Sequence, residues 1–160
     1  MTNSKKKQLR RNSSNGNDKT QELISVIVVE PQKMPYLKTI PNNFKAFQAE
    51  VGGYIECTRP FDNPVCIIHN EAGHPNVNGL ALNRPLRNRN GSISDIIAGT
   101  FLIVETDEDR FISLSPEMSK KYMFHFKYPQ SYFFDGTDII TKTDFGQGAY
   151  ALMRERLEMK

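Results

Sequence analysis

The apolar residues of this chain come in short uninterrupted runs of no more than five, and three runs of four carry β-branched side chains: Val26-Ile27-Val28-Val29, Val65-Cys66-Ile67-Ile68 and Phe101-Leu102-Ile103-Val104. Runs this short cannot span a bilayer, which needs about 20 apolar residues, and their β-branched content suits buried strands better than helices. The first run extends back to Glu22-Leu23-Ile24-Ser25 and is ended by Pro31. Tyr36-Leu37-Lys38-Thr39-Ile40 alternates apolar and polar residues, as a half-exposed strand paired back on the first would. Tyr54-Ile55-Glu56-Cys57-Thr58 and the run at 65–69 read as neighbouring strands across a turn marked by Pro60, Asp62-Asn63 and Pro64. Thr100-Phe101-Leu102-Ile103-Val104 and Arg110-Phe111-Ile112-Ser113-Leu114 make a hairpin across residues 107–109.

Two helices stand out by their ends. Asn42 or Asn43 caps a segment in which Phe44, Phe47 and Val51 recur at helical spacing, and Gly52-Gly53 supplies a left-handed stop. Ser115 followed by Pro116-Glu117 is a helix start, and Met118, Tyr122 and Phe126 then recur every four residues, predicting a helix over 116–127. Residues 70–76 and 83–91 read as polar loops, residues 94–99 as a helical turn or tight connection, and residues 132–140 as a terminal hairpin ahead of a fair helix at 149–158. The expected fold is α+β: a mainly antiparallel sheet of about five to six strands with two or three packed helices. The expected organisation is a disordered basic arm over 1–21, a core domain over 22–134 and a C-terminal hairpin or helical extension over 135–160.

Charge is segregated along the chain. Lys5, Lys6, Lys7, Arg10, Arg11 and Lys19 face a single acid, Asp18, in the first nineteen residues, whereas the remainder carries fifteen cations against seventeen acids. The formal net charge of +3 therefore belongs to the start of the chain. With Leu9 its one apolar residue after Met1, the arm lacks the surface to offset the entropy of ordering it, and its cations are a handle for polyanions. No apolar stretch of signal-peptide length follows its cations, so the expected location is cytoplasmic, and Cys57 and Cys66 are expected to be reduced and packed in the core.

Several separated motifs keep a recognisable order: Val29-Glu30-Pro31 before Pro35-Tyr36, then Val51-Gly52-Gly53-Tyr54-Ile55-Glu56, Asn78-Gly79-Leu80, Leu82-Asn83-Arg84, and Asp95-Ile96-Ile97-Ala98-Gly99-Thr100-Phe101. Over roughly residues 24–134 the chain resembles the proteins grouped as domain of unknown function 3846, small proteins of phages and mobile elements of Gram-positive bacteria. The resemblance implies a biological setting rather than a reaction. The basic arm lies outside the shared region, and the 83–91 segment is rich in arginine.

The arm would give salt-dependent, sequence-blind contacts to phosphates, or serve only as a solubilising terminus. Arg84, Arg87 and Arg89, interleaved with Asn83, Asn88 and Asn90, present guanidinium forks and amides of the kind that read phosphates and base edges, or a turn whose charges simply face water. Cys66, His69, Glu71 and His74 suggest a metal site but lack a second ligand pair at finger spacing, and Cys66 has no nearby cation to make it a nucleophile. Asp107, Glu108 and Asp109 read as a hairpin tip; Gly52-Gly53 lacks the lysine of a phosphate loop. Of the aromatic residues between 122 and 134, Tyr128 and Tyr132 are the ones expected to form a surface for a protein partner or a homodimer.

The residues imply no cofactor, no metal and no membrane partner. The favoured expectation is a non-enzymatic accessory protein, such as an anti-CRISPR or other counter-defence factor, that binds nucleic acid or a host nucleoprotein complex through the arm and the Arg-rich segment. The alternative is a protein-interaction module working through its aromatic surface, and a third is an enzyme without a recognisable constellation.

Overall fold

The computed structural model describes residues 21–72 and 80–145. The arm cations, His74, and the helix expected at 149–158 lie outside the described residues. Strands β1 (Leu23–Val29) and β2 (Tyr36–Pro41) lead into helix α1 (Phe44–Val51), followed by β3 (Ile55–Thr58) and β4 (Val65–Asn70). After the interruption come β5 (Leu82–Arg87), β6 (Ile93–Ala98), β7 (Phe101–Asp107), β8 (Arg110–Ile112), α2 (Pro116–His125), β9 (Gln130–Phe134) and β10 (Ile139–Thr143).

The main sheet has the order β2-β1-β7-β4-β3, with β8 also paired to β7, and every pairing in it is antiparallel. The three β-branched runs are its three central strands, and they are apolar on both faces because both faces are covered. On one face Val26, Val28, Cys66, Ile68, Leu102 and Val104 pack with Phe47 and Val51 of α1. On the other, Ile27, Val29, Ile67 and Ile103 meet Met118, Tyr122 and Phe126 from α2 and its end, with Leu86 and Ile97 of the β5–β6 hairpin. The fold is thus α+β; the described residues form a six-stranded antiparallel sheet, two helices and two small two-stranded sheets.

Local chemistry explains the helix ends. The Asn43 side chain accepts a hydrogen bond from the Ala46 amide at 2.8 Å, and α1 stops at Gly52, whose φ of 77° is left-handed. Gly53 is required for space: a Cβ there would lie 2.8 Å from Asn70 Nδ2. Ser115 caps α2 by accepting from the Met118 amide, while its hydroxyl donates to Glu105 on β7. That last bond fixes the helix to the sheet it covers.

The 83–99 region differs from expectation. Residues 94–99 are not a helical turn: 94–98 belong to β6, where Ile96, Ile97 and Ala98 are buried in succession, and Gly99 is the bend that follows. Residues 83–87 are not loop either, but strand β5, paired with β6 through two register irregularities. Pro85 is tolerated because β5 pairs on one side alone and a missing N–H disturbs no central ladder. Burial against α2 outweighed the turn-like composition. The β9–β10 hairpin is present, with Phe134 opposite Ile139 and Phe133 opposite Ile140.

Candidate nucleic-acid interface

The Asn83-Arg84 pair sits where four segments meet. Asn83 is buried, and its Nδ2 donates to the carbonyls of Val29 and Gly99, both at 2.9 Å. Its Oδ1 accepts from Arg84, whose remaining nitrogens donate to Phe126 O at 3.1 Å and Lys33 O at 2.6 Å. Arg84 is only 2 % exposed, and no carboxylate is among these partners. Burial pushes its pKa down to about 10, which still leaves it charged at neutral pH, held by oxygen acceptors in place of water. Arg84 is therefore withdrawn from the set of phosphate-facing cations. It is a brace that holds the β1–β2 turn, β5 and the end of α2 together.

The same brace aims the residues beyond it. Arg87 and Arg89 are exposed at the mouth of the β5–β6 turn, whose shape comes from bonds between Asn88 and Ser92 and between Asn90 and Ser92. Arg87 donates to Gly91 O at 2.8 Å. Arg89 is 96 % exposed in its side chain and lies 4.0 Å from Asp62. An ion pair between two fully exposed groups contributes little and leaves Arg89 available to a stronger anion.

Behind this turn lies a groove of about 420 Å³, lined by Phe61, Arg87, Arg89, His125, Tyr128 and Gln130 among others. Phe61 comes from the turn between β3 and β4, and it packs edge-on to His125 with centroids 5.2 Å apart and to Phe126 at 6.1 Å. His125 and Phe126 are 4.6 Å apart. This packing and the nearby Lys121 charge hold the His125 pKa below the ordinary histidine value, so the ring is neutral at neutral pH. Lys127 stands over the Tyr128 ring at 5.3 Å, and Phe145 packs against it at 4.8 Å. The result is a wall of rings under a rim of cations.

The aromatic surface differs from the one expected. Tyr132 is half-buried, and its hydroxyl donates to Asn83 O at 2.8 Å; burial raises its pKa well above the ordinary tyrosine value. Tyr128 is half-buried in the groove and does not project from the body. Between residues 122 and 134 the projecting rings are Phe124, 78 % exposed, and Phe133 and Phe134 on the β9–β10 hairpin. Phe61 and His125 were not anticipated as groove residues. A phenylalanine set in a Pro-Asp-Asn turn, where a polar residue would serve the turn equally well, was the available signal.

The other candidates disperse. Cys66 and His69 are three apart on one strand and so point to opposite faces of the sheet. Cys66 packs with α1, while buried His69 shares a 2.7 Å hydrogen bond with Thr58 and donates Nδ1–H to Asn70 O. No group of three or more potential metal ligands occurs among the described residues. The two thiols are free, but Cys57 is exposed rather than packed in the core. Asp107 pairs with Arg110 at 3.2 Å across the hairpin turn. Among the described residues no helix is long and apolar enough to cross a membrane.

No curated protein and no solved structure matches the chain significantly. The family model for Domain of unknown function (DUF3846) matches residues 24–127, from β1 past the end of α2, which takes in both faces of the main sheet, the Asn83-Arg84 brace and the Arg87–Arg89 turn. The chain therefore belongs to the DUF3846 family.

Proposed function

We propose that this protein is a non-enzymatic accessory protein of phages or mobile elements that binds nucleic acid, free or within a nucleoprotein complex such as a host defence effector. The observation that carries the reading is the placement of Arg87 and Arg89 on a braced turn beside a groove walled by Phe61, His125 and Tyr128. Cations on a preformed turn lose less freedom on meeting phosphates than cations on a loose chain, and neighbouring rings add contact area that a purely solubilising charge would not need. The six arm cations add reach along a phosphate backbone and steepen the salt dependence.

Binding of labelled oligonucleotides by the full chain between about 50 and 200 mM salt tests the proposal. Affinity should fall steeply across that range. Deleting residues 1–19, or changing Arg87 and Arg89 to Ala, should lower affinity and flatten the slope. Affinity indifferent to salt and to both changes rejects the reading.

One observation favours a second reading, a protein-interaction module. Phe133, Phe134, Ile139 and Ile140 are exposed as two cross-strand apolar pairs on the β9–β10 hairpin. Under that reading Phe134→Ser abolishes partner capture while the arginine changes leave it intact.

A further inference from the structure

We propose that the groove behind the β5–β6 turn holds an unpaired nucleobase against its aromatic wall, with the flanking phosphates on Arg87 and Arg89, so that the ligand is single-stranded rather than duplex nucleic acid. The inference rests on the nucleic-acid reading and narrows it to one strand state. Bases in a duplex are stacked on one another and offer their faces to nothing else, whereas an unpaired base presents a π-face to any ring of suitable height. Phe61, His125 and Tyr128 supply such rings within one groove, and His125 is exposed there.

Size and polarity agree. A volume of about 420 Å³ falls at the lower end of the roughly 300–1,000 Å³ typical of small-ligand sites, and is suited to one nucleotide rather than to a helix laid across it. Asn88 and Gln130 line the groove with amide groups, the donors and acceptors that a base edge pairs with. Gln130 is oriented by Thr141 and Thr143, whose hydroxyls donate to its Oε1 at 2.8 and 3.3 Å. Its amide nitrogen lies 3.4 Å from Tyr128 O, a long bond easily exchanged for a ligand acceptor. An acidic peptide would satisfy Arg87 and Arg89 but would leave the stacking wall without a planar partner.

The test uses the full chain with a 12-nucleotide single strand of DNA, the same sequence in RNA, and the DNA duplex, each carrying 2-aminopurine as the reporter base. Single strands should bind about tenfold more tightly than duplex, with quenching of the reporter as its base stacks. His125→Ala and Tyr128→Leu should each lower single-strand affinity about fivefold and relieve the quench, leaving duplex binding unchanged. His125 is exposed, so its replacement is compatible with a folded protein, and an unaltered melting temperature verifies this. The DNA and RNA arms distinguish the sugar. Equal affinity for single strand and duplex, no quench, and no effect of either ring change would overturn the groove inference while leaving Arg87 and Arg89 as a duplex-binding turn. Failure of every arm to bind would remove the nucleic-acid reading with it. Displacement of the oligonucleotide by an acidic peptide at equal concentration would also overturn the inference.

Discussion

The Tyr132 hydroxyl donates to the backbone carbonyl of Asn83 at 2.8 Å, tying the β9–β10 hairpin to the strand whose far end presents Arg87. Tyr132→Phe removes that bond alone and should cost about 1 kcal/mol in urea denaturation. The pH dependence is also set. The folded-state pKa of Tyr132 is raised by burial, so its contribution is complete below the unfolded value of about 10 and is lost as pH rises from there towards the folded value. Phenolate absorbance should show Tyr132 ionising late, alongside the also raised Tyr36 and Tyr122, and the late amplitude should fall by one tyrosine in Tyr132→Phe.

Arg84 makes three hydrogen bonds, two to carbonyl oxygens of remote segments and one to the side chain of Asn83 beside it. Arg84→Met should destabilise by about 2–4 kcal/mol, because it leaves the buried Phe126 carbonyl and Asn83 Oδ1 without their donor. Arg84→Lys should recover little of this, since a single ammonium cannot reproduce the fork. Arg87→Ala, by contrast, should leave the unfolding midpoint within about 0.5 kcal/mol of the unaltered protein. A stable Arg84→Met would show that the brace is dispensable.

Gly53 approaches Asn70, whose side chain bonds Val51 O at 3.2 Å and receives the Ala72 amide at 2.9 Å. Gly53→Ala places a methyl 2.8 Å from Asn70 Nδ2 and should cost about 1–3 kcal/mol, because the Asn70 side chain must shift and weaken its bonds to Val51 and Ala72. The thermal midpoint reads this directly, and Asn70→Ser should partly rescue it by removing the clash.

Cys57 and Cys66 face each other diagonally across β3 and β4 but differ in access. A hydrogen bond from Cys66, aided by the Arg59 charge, lowers the Cys57 pKa, whereas the Cys57 contact and burial raise that of Cys66. A thiol reagent at pH 8 should therefore modify one cysteine per folded chain rapidly and the second only on unfolding. Cys57→Ser should abolish the rapid phase; its persistence would contradict this order.

His125 packs against Phe61 and Phe126 and lies near Lys121, and each of these disfavours the imidazolium. Its NMR titration midpoint should fall below the usual 6.5. The folded state then binds fewer protons than the unfolded chain, so this contribution is present above pH 6.5 and is lost as pH falls through the folded value. Lys121→Gln should move the midpoint upwards.

Much of the architecture was written in short-range chemistry. The β-branched runs at 26–29, 65–68 and 101–104 became the central strands because four consecutive apolar residues can be satisfied only where a sheet is covered on both sides. Asn43, Gly52, Ser115 and Pro116 marked helix ends because capping is settled within one turn of backbone. The Arg84, Tyr128 and Tyr132 environments were not legible in this way. Whether a guanidinium is desolvated depends on carbonyls as distant as Lys33 and Phe126, and whether Tyr132 or Phe133 faces inward depends on β9 lying beside β5. Composition assigns arginine to the surface by default; the assembled chain placed one arginine under the fold and left two at its edge, because oxygen acceptors from separate segments converged on the first and none of comparable number reached the others.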